Sequence, residues 1–165
     1  LVWNTGVSKT LPAFKSFAQL MFLPEHAPLR TRLCDMLAGN PLALHRVWKL
    51  HEDYRNVKCA HRTISDHFDR VSWQIHRIYR ARNQLVHAGR MPSYLESLTL
   101  NLAEYFRSSV STIINRARAE DEPSDIDQIV AEIGISYEIM RNKLGQRPAN
   151  ASDMTADDIA MIMDH

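Results

Sequence analysis

The sequence predicts an all-α protein, an antiparallel helical bundle of four to six helices, and three observations lead there. Glycine is scarce, with five in 165 residues. Alternating runs of β-branched residues are absent, and apolar residues recur at helical spacing between a few Gly- and Pro-containing breaks. Helices of this length, each with one apolar side and joined by short connections, satisfy their apolar faces by lying against one another.

The breaks are Leu23-Pro24, Gly39-Asn40-Pro41, Gly89 to Pro92, Glu122-Pro123 and the stretch from Gly145 to Asn150. Asn40 before Pro41 reads as an N-cap followed by the first helical residue, which predicts a helix from there toward Tyr54. The segment from about Thr63 to Val86 holds no Gly or Pro. At about 100° per residue, Ile64, Phe68, Val71, Ile75, Ile78, Tyr79, Leu85 and Val86 fall in one arc about 120° wide, which is expected to be buried. Ala88-Gly89 reads as its end. Ser93 with Glu96 three positions on is a capping-box pattern ahead of a helix carrying Leu95, Leu98, Leu102, Tyr105, Phe106, Val110 and Ile113. Ser124 with Asp127 opens another, with Ile129, Ile133, Tyr137, Met140 and Leu144 toward one side. Thr155 with Asp158 starts a short last helix. Residues 1–150 are therefore expected to form one helical domain and residues 151–165 a short amphipathic C-terminal helix.

Composition narrows the function classes. The 45% apolar content suits one globular domain with a sizeable core. Two cysteines, Cys34 and Cys59, make no disulfide framework and point to a reducing, cytoplasmic setting. No apolar stretch approaches a membrane span, so no membrane partner is expected. The chain opens on Leu1-Val2-Trp3-Asn4 rather than Met, which suggests a piece of a longer protein. The net charge of +1 conceals an asymmetry: residues 1–90 hold 14 Lys/Arg against 6 Asp/Glu, and residues 91–165 hold 6 against 13. Between Arg70 and Leu95 there is no acid but five arginines, Arg70, Arg77, Arg80, Arg82 and Arg90. Such a run could meet phosphates, or pair with the chain's own acidic half.

Arg82 falls near the middle of the apolar arc, where a guanidinium must be paired, snorkel to an edge or face a shared interface. Asn83 and His87 lie one turn apart on another side that also carries His76 and Arg80, so Asn83 could hydrogen-bond the imidazole and set its tautomer. Spacing alone does not single this pair out, because Arg46 and His51, and Arg62 and His67, share the same offset. What distinguishes Arg82 and His87 is context: the Asn after the Arg, apolar Leu85-Val86 before the His, a helix-ending Ala-Gly after it and the acid-free run around it. The alternative reading makes Arg82 a buried structural arginine bonded to carbonyls or an acid of the C-terminal half, and His87 a helix C-cap that meets the last carbonyls. Cys59-Ala60-His61 with His67 lacks any usual zinc-ligand spacing. Trp3, Trp48 and Trp73 could stack bases or serve as core or interface anchors.

The stretch from Arg77 to Gly89, Arg-Ile-Tyr-Arg-Ala-Arg-Asn-Gln-Leu-Val-His-Ala-Gly, resembles the signature helix of the HEPN superfamily: Arg, a polar residue often Asn, a few residues, then His. The resemblance is sharp over about a dozen residues and elsewhere rests on the helical pattern. It implies a HEPN-like bundle that forms a homodimer, so that two copies of the motif meet in one composite cleft. It also implies a metal-independent endoribonuclease, the effector of a prokaryotic antiviral defence or toxin system, with an upstream sensor domain in the full chain. Arg82 and His87 would then be catalytic, supported by Asn83. Arg77, Arg80 and His76 would bind the RNA substrate, and no cofactor or metal would be needed. Some members of the superfamily serve only as dimerisation or binding modules.

Overall fold

The computed structural model describes residues 7–119, 125–147 and 153–163. Among these the chain is all-α, with no strand and seven helices: α1 (Val7–Phe22), α2 (Ala27–Met36), α3 (Pro41–Tyr54), α4 (Val57–Ala88), α5 (Leu95–Ala119), α6 (Ile126–Gly145) and α7 (Ala156–Met163). A 3-10 turn at Pro24–His26 separates α1 from α2. None of the described helices is long and apolar enough to cross a membrane.

Local capping chemistry sets most of the boundaries. The Asn40 side chain accepts the Ala43 amide at 3.1 Å, and α3 starts at Pro41 and stops at Tyr54, as its residues predict. The longest helix, α4, begins six residues before its expected start, because the Asn56 side chain accepts the Cys59 amide at 2.8 Å and caps it there. It ends at Gly89, which takes a left-handed φ of 58° while the Arg90 amide reaches back to the Gln84 carbonyl at 3.3 Å. The predicted Ser93–Glu96 box does not form. Helix α5 starts at Leu95, and its first carbonyl, accepting the Leu98 amide at 3.2 Å, is that of Tyr94. Ser124 lies outside the described residues. At α7 the capping box is reciprocal: the Asp158 amide donates to the Thr155 hydroxyl at 3.2 Å, and the Thr155 amide donates to the Asp158 carboxylate at 3.0 Å.

The chain divides into two compact units, residues 1–64 with 137–165, and residues 65–136. In the first, α1 packs with α2, α3 and α7. Ala18, Met21, Phe22, Leu23, Val57, Ala60, Met140, Leu144, Met154 and Ile159 form one buried core, contributed by α1, the start of α4, the end of α6 and the α7 region. Carbonyls at the C-terminal end of α1 and just beyond it take side-chain donors. Arg30 donates to the carbonyls of Leu20 (3.1 Å) and Leu23 (2.6 Å), and the His51 ring donates from Nδ1 to that of Met21 (2.9 Å). His51 of the Arg46–His51 pair is thus a structural residue. Half-buried His61 lies against Gly145, its ring 3.1 Å from where a Cβ on that glycine would stand.

The second unit, made of the rest of α4, α5 and the start of α6, buries much less. Ala81, Leu98 and Ile129 are its buried apolar residues, with Val71, Ile78, Leu95, Tyr105, Val110, Ile113 and Ile133 half-buried. Here the expectation of a buried arc on α4 is corrected. Phe68, Ile75, Tyr79, Leu85 and Val86 are all exposed, and so is Arg82. In this unit the buried line of α4 passes through Ala81; of the expected arc Val71 and Ile78 are half-buried here, while Ile64 is half-buried against the core of the first unit.

Candidate functional site

Seen along its axis, the open part of α4 carries two parallel lines of residues. Phe68, Ser72, Ile75, Tyr79, Arg82 and Val86 recur at alternating intervals of four and three, which keeps them on one side of a helix. Trp73, His76, Arg80, Asn83 and His87 recur at three and four, and lie about 100° further round at about 100° per residue. The first line is apolar except for Ser72 and Arg82. The second is cationic and aromatic.

Arg82 donates from Nη1 to the Asn83 side-chain oxygen at 3.1 Å. Among the described residues no hydrogen bond joins Asn83 to the His87 imidazole. Among the described residues His87 has no hydrogen-bond partner. Because α4 stays helical through Ala88, the end does not unwind, and Arg82 and His87 point about 140° apart within one chain. The structure therefore brings Arg82 and Asn83 together and leaves His87 separate, exposed in the last turn.

The rest of the second line is more constrained. The His76 ring contacts the Ser72 carbonyl through Nδ1 at 2.8 Å. A carbonyl can only accept, so Nδ1 carries hydrogen and the neutral ring presents Nε2 as its acceptor. The Arg77 guanidinium makes cation–π contact with two rings, its central carbon 4.7 Å from the Trp73 centroid and 5.0 Å from that of Tyr94. The ion pairs of the described residues, such as Arg107–Glu104 and Arg147–Asp158, lie elsewhere, and none uses an arginine between positions 70 and 90. Among the described residues, no ion pair joins the basic run to the acidic half.

Trp48 and Trp73 are both exposed, which removes the core reading for each, and Trp3 lies outside the described residues. Cys59 is buried, and no three metal-ligating side chains converge among the described residues. A hollow of about 570 Å³ beside the α4–α5 connection is lined by Met91, Pro92, Ser93, Leu95, Glu96, Thr99 and Leu100, without any residue of the motif. Tyr94 is the residue that sequence reasoning missed. The Trp73–Arg77 spacing is visible as i, i+4, but the second ring arrives only because the chain reverses after Gly89. Compared with known proteins, the chain matches no family model, no curated protein and no solved structure.

Proposed function

We propose that this chain is a metal-independent endoribonuclease module of HEPN type, an antiparallel helical bundle that works as a cytoplasmic homodimer and serves as an effector of antiviral defence. The observation that carries the reading is Arg82: a guanidinium with no acidic partner among the described residues, set beside exposed Ile75, Tyr79, Leu85 and Val86 on a face that a second copy would cover. The Asn83 oxygen already accepts one of its protons, which lowers the cost of desolvating it in such an interface.

The chemistry follows from the residue types. Cleavage by the 2′-OH needs a base for the hydroxyl proton, an acid for the departing 5′-oxygen and a cation for the charge that builds on the phosphate. Histidine serves as base or acid near neutrality. One chain supplies one exposed motif histidine, and a dimer supplies two, His87 and its counterpart. Arg82 would hold the phosphate oxygens in bidentate fashion, with Asn83 fixing the orientation of its fork. Arg77, Arg80 and His76 would bind the strand. No cofactor enters.

Purified protein is expected to cut RNA in EDTA, leaving cyclic or 3′-phosphate and 5′-hydroxyl ends, with loss of cleavage in Arg82→Ala and His87→Ala. Full activity in both variants, or loss of wild-type cleavage in EDTA, refutes the reading. A second reading, a non-catalytic dimerisation or RNA-binding module, is favoured by His87 itself, which no hydrogen bond orients. Salt-sensitive binding with intact RNA after long incubation would select it.

A further inference from the structure

We infer that Trp73, braced by Arg77 and Tyr94, is a stacking platform for an unpaired nucleobase, so that the RNA taken by the site proposed above is single-stranded. The inference rests on that reading for its ligand class and on separate residues for its geometry. Trp73 is 59% exposed, yet its ring lies 4.7 Å from a guanidinium carbon that is also 5.0 Å from the Tyr94 ring. One Arg77 nitrogen, Nη1, donates to the Gln74 side-chain oxygen at 3.5 Å, and a guanidinium carries further N–H donors that a phosphate oxygen can accept from. An exposed indole next to such donors presents what a single strand needs, a π-face for a base and a cation for the backbone.

The surroundings extend the platform. Trp73, His76, Arg80, Asn83 and His87 follow one line along α4, and the 14 residue steps from Trp73 to His87 span about 21 Å at ~1.5 Å per residue. A few nucleotides of extended strand cover that distance, with Arg80 midway. No carboxylate occurs between Arg70 and Leu95 to repel the phosphates. A duplex cannot use the platform, because its bases already stack on one another and show only their edges, whereas unpaired bases are free to lie on an aromatic ring. A surface arginine that merely covers an apolar ring is the simpler alternative; it predicts no dependence of binding on strand pairing.

The test uses the whole chain and a short 2′-O-methylated strand, which cannot be cut because its attacking oxygen is blocked, alone and annealed to its complement. Fluorescence anisotropy is expected to show about a tenfold loss of single-strand affinity in Trp73→Ala, at the low end of base–aromatic stacking. Trp73→Phe should retain most of the binding, and duplex affinity should not change. No loss in Trp73→Ala, an equal loss for duplex, or a changed oligomeric state overturns the inference. Unmodified RNA separates the two proposals: Trp73-dependent binding without cleavage sinks only the nuclease reading, and cleavage without Trp73 dependence sinks only this one.

Discussion

Replacing Ile75 by Lys distinguishes an apolar line that is core from one that is interface. Ile75 is 52% exposed and stands at the centre of Phe68, Tyr79 and Val86, all exposed as well. Full burial of such a side chain is worth about 1.5–3 kcal/mol, so covering the exposed half of Ile75 returns about 1 kcal/mol per chain and about 2 kcal/mol per symmetric dimer. Losing that alone weakens association about 30-fold. The added ammonium raises the loss further, because it enters a stretch already rich in arginine and would be desolvated there. In the monomer the same substitution touches an exposed helical position, where changes stay within about 0.5 kcal/mol. Sedimentation equilibrium over a range of concentrations measures the first quantity. Thermal unfolding by circular dichroism, at a concentration where the wild type is monomeric, measures the second. A wild type that never associates, an unchanged dimer in Ile75→Lys, or a monomer destabilised by 2 kcal/mol or more refutes the reasoning.

Asp158 is 2% exposed and accepts from the Thr155 amide, the Thr155 hydroxyl and the Arg147 guanidinium, so Asp158→Ala removes a cap and leaves a cation short of its partner. Arg147 is itself 37% exposed, which discounts the ion pair and sets the expected cost at about 2 kcal/mol. Urea unfolding should show it, against less than about 0.5 kcal/mol for the exposed neighbour in Asp157→Ala; equal values would contradict the role of the cap. The Tyr54 ring packs 5.1 Å from Phe22, and burial pushes its phenol above the ordinary value, with Asp53 adding to the effect. The folded state thus favours the neutral phenol. That contribution is fully present below the ordinary tyrosine pKa of about 10 and is lost as pH rises through the raised folded value. Denaturation midpoints should fall from about pH 10 upward in the wild type and fall less in Tyr54→Phe; parallel declines would exclude Tyr54 as a cause.

Features that depend on neighbours in sequence were legible. The bounds of α3 follow from Asn40 and Pro41, the end of α4 from Gly89, and α7 from Thr155 and Asp158, because capping is settled within one turn of helix. The Ser93–Glu96 pattern fails for the same physical reason: Tyr94 supplies the first helical carbonyl, and a Ser one residue too early does not cap. The candidate site was legible as a set of residues but not as an arrangement. Asn83 stands beside both Arg82 and His87 in pattern, and the choice between them depends on side-chain rotamers that periodicity does not encode. His51 and Arg30 show the same limit, since their partners are carbonyls of α1, 30 residues and 7–10 residues away.

What the sequence determined by itself is the helical class, most of the breaks and the placing of Arg82 in an apolar line on α4. These rest on local propensity and a fixed angle per residue. Only the tertiary structure decided that the line stays open. Amphipathicity states that a face gains by leaving water, and whether α5 and α6 reach it depends on where the α4–α5 connection turns the chain. The same turn sets Tyr94 against Arg77 and so creates the aromatic clamp. With the arc uncovered, Arg82 changes from an expected buried arginine into an exposed one that makes no ion pair among the described residues.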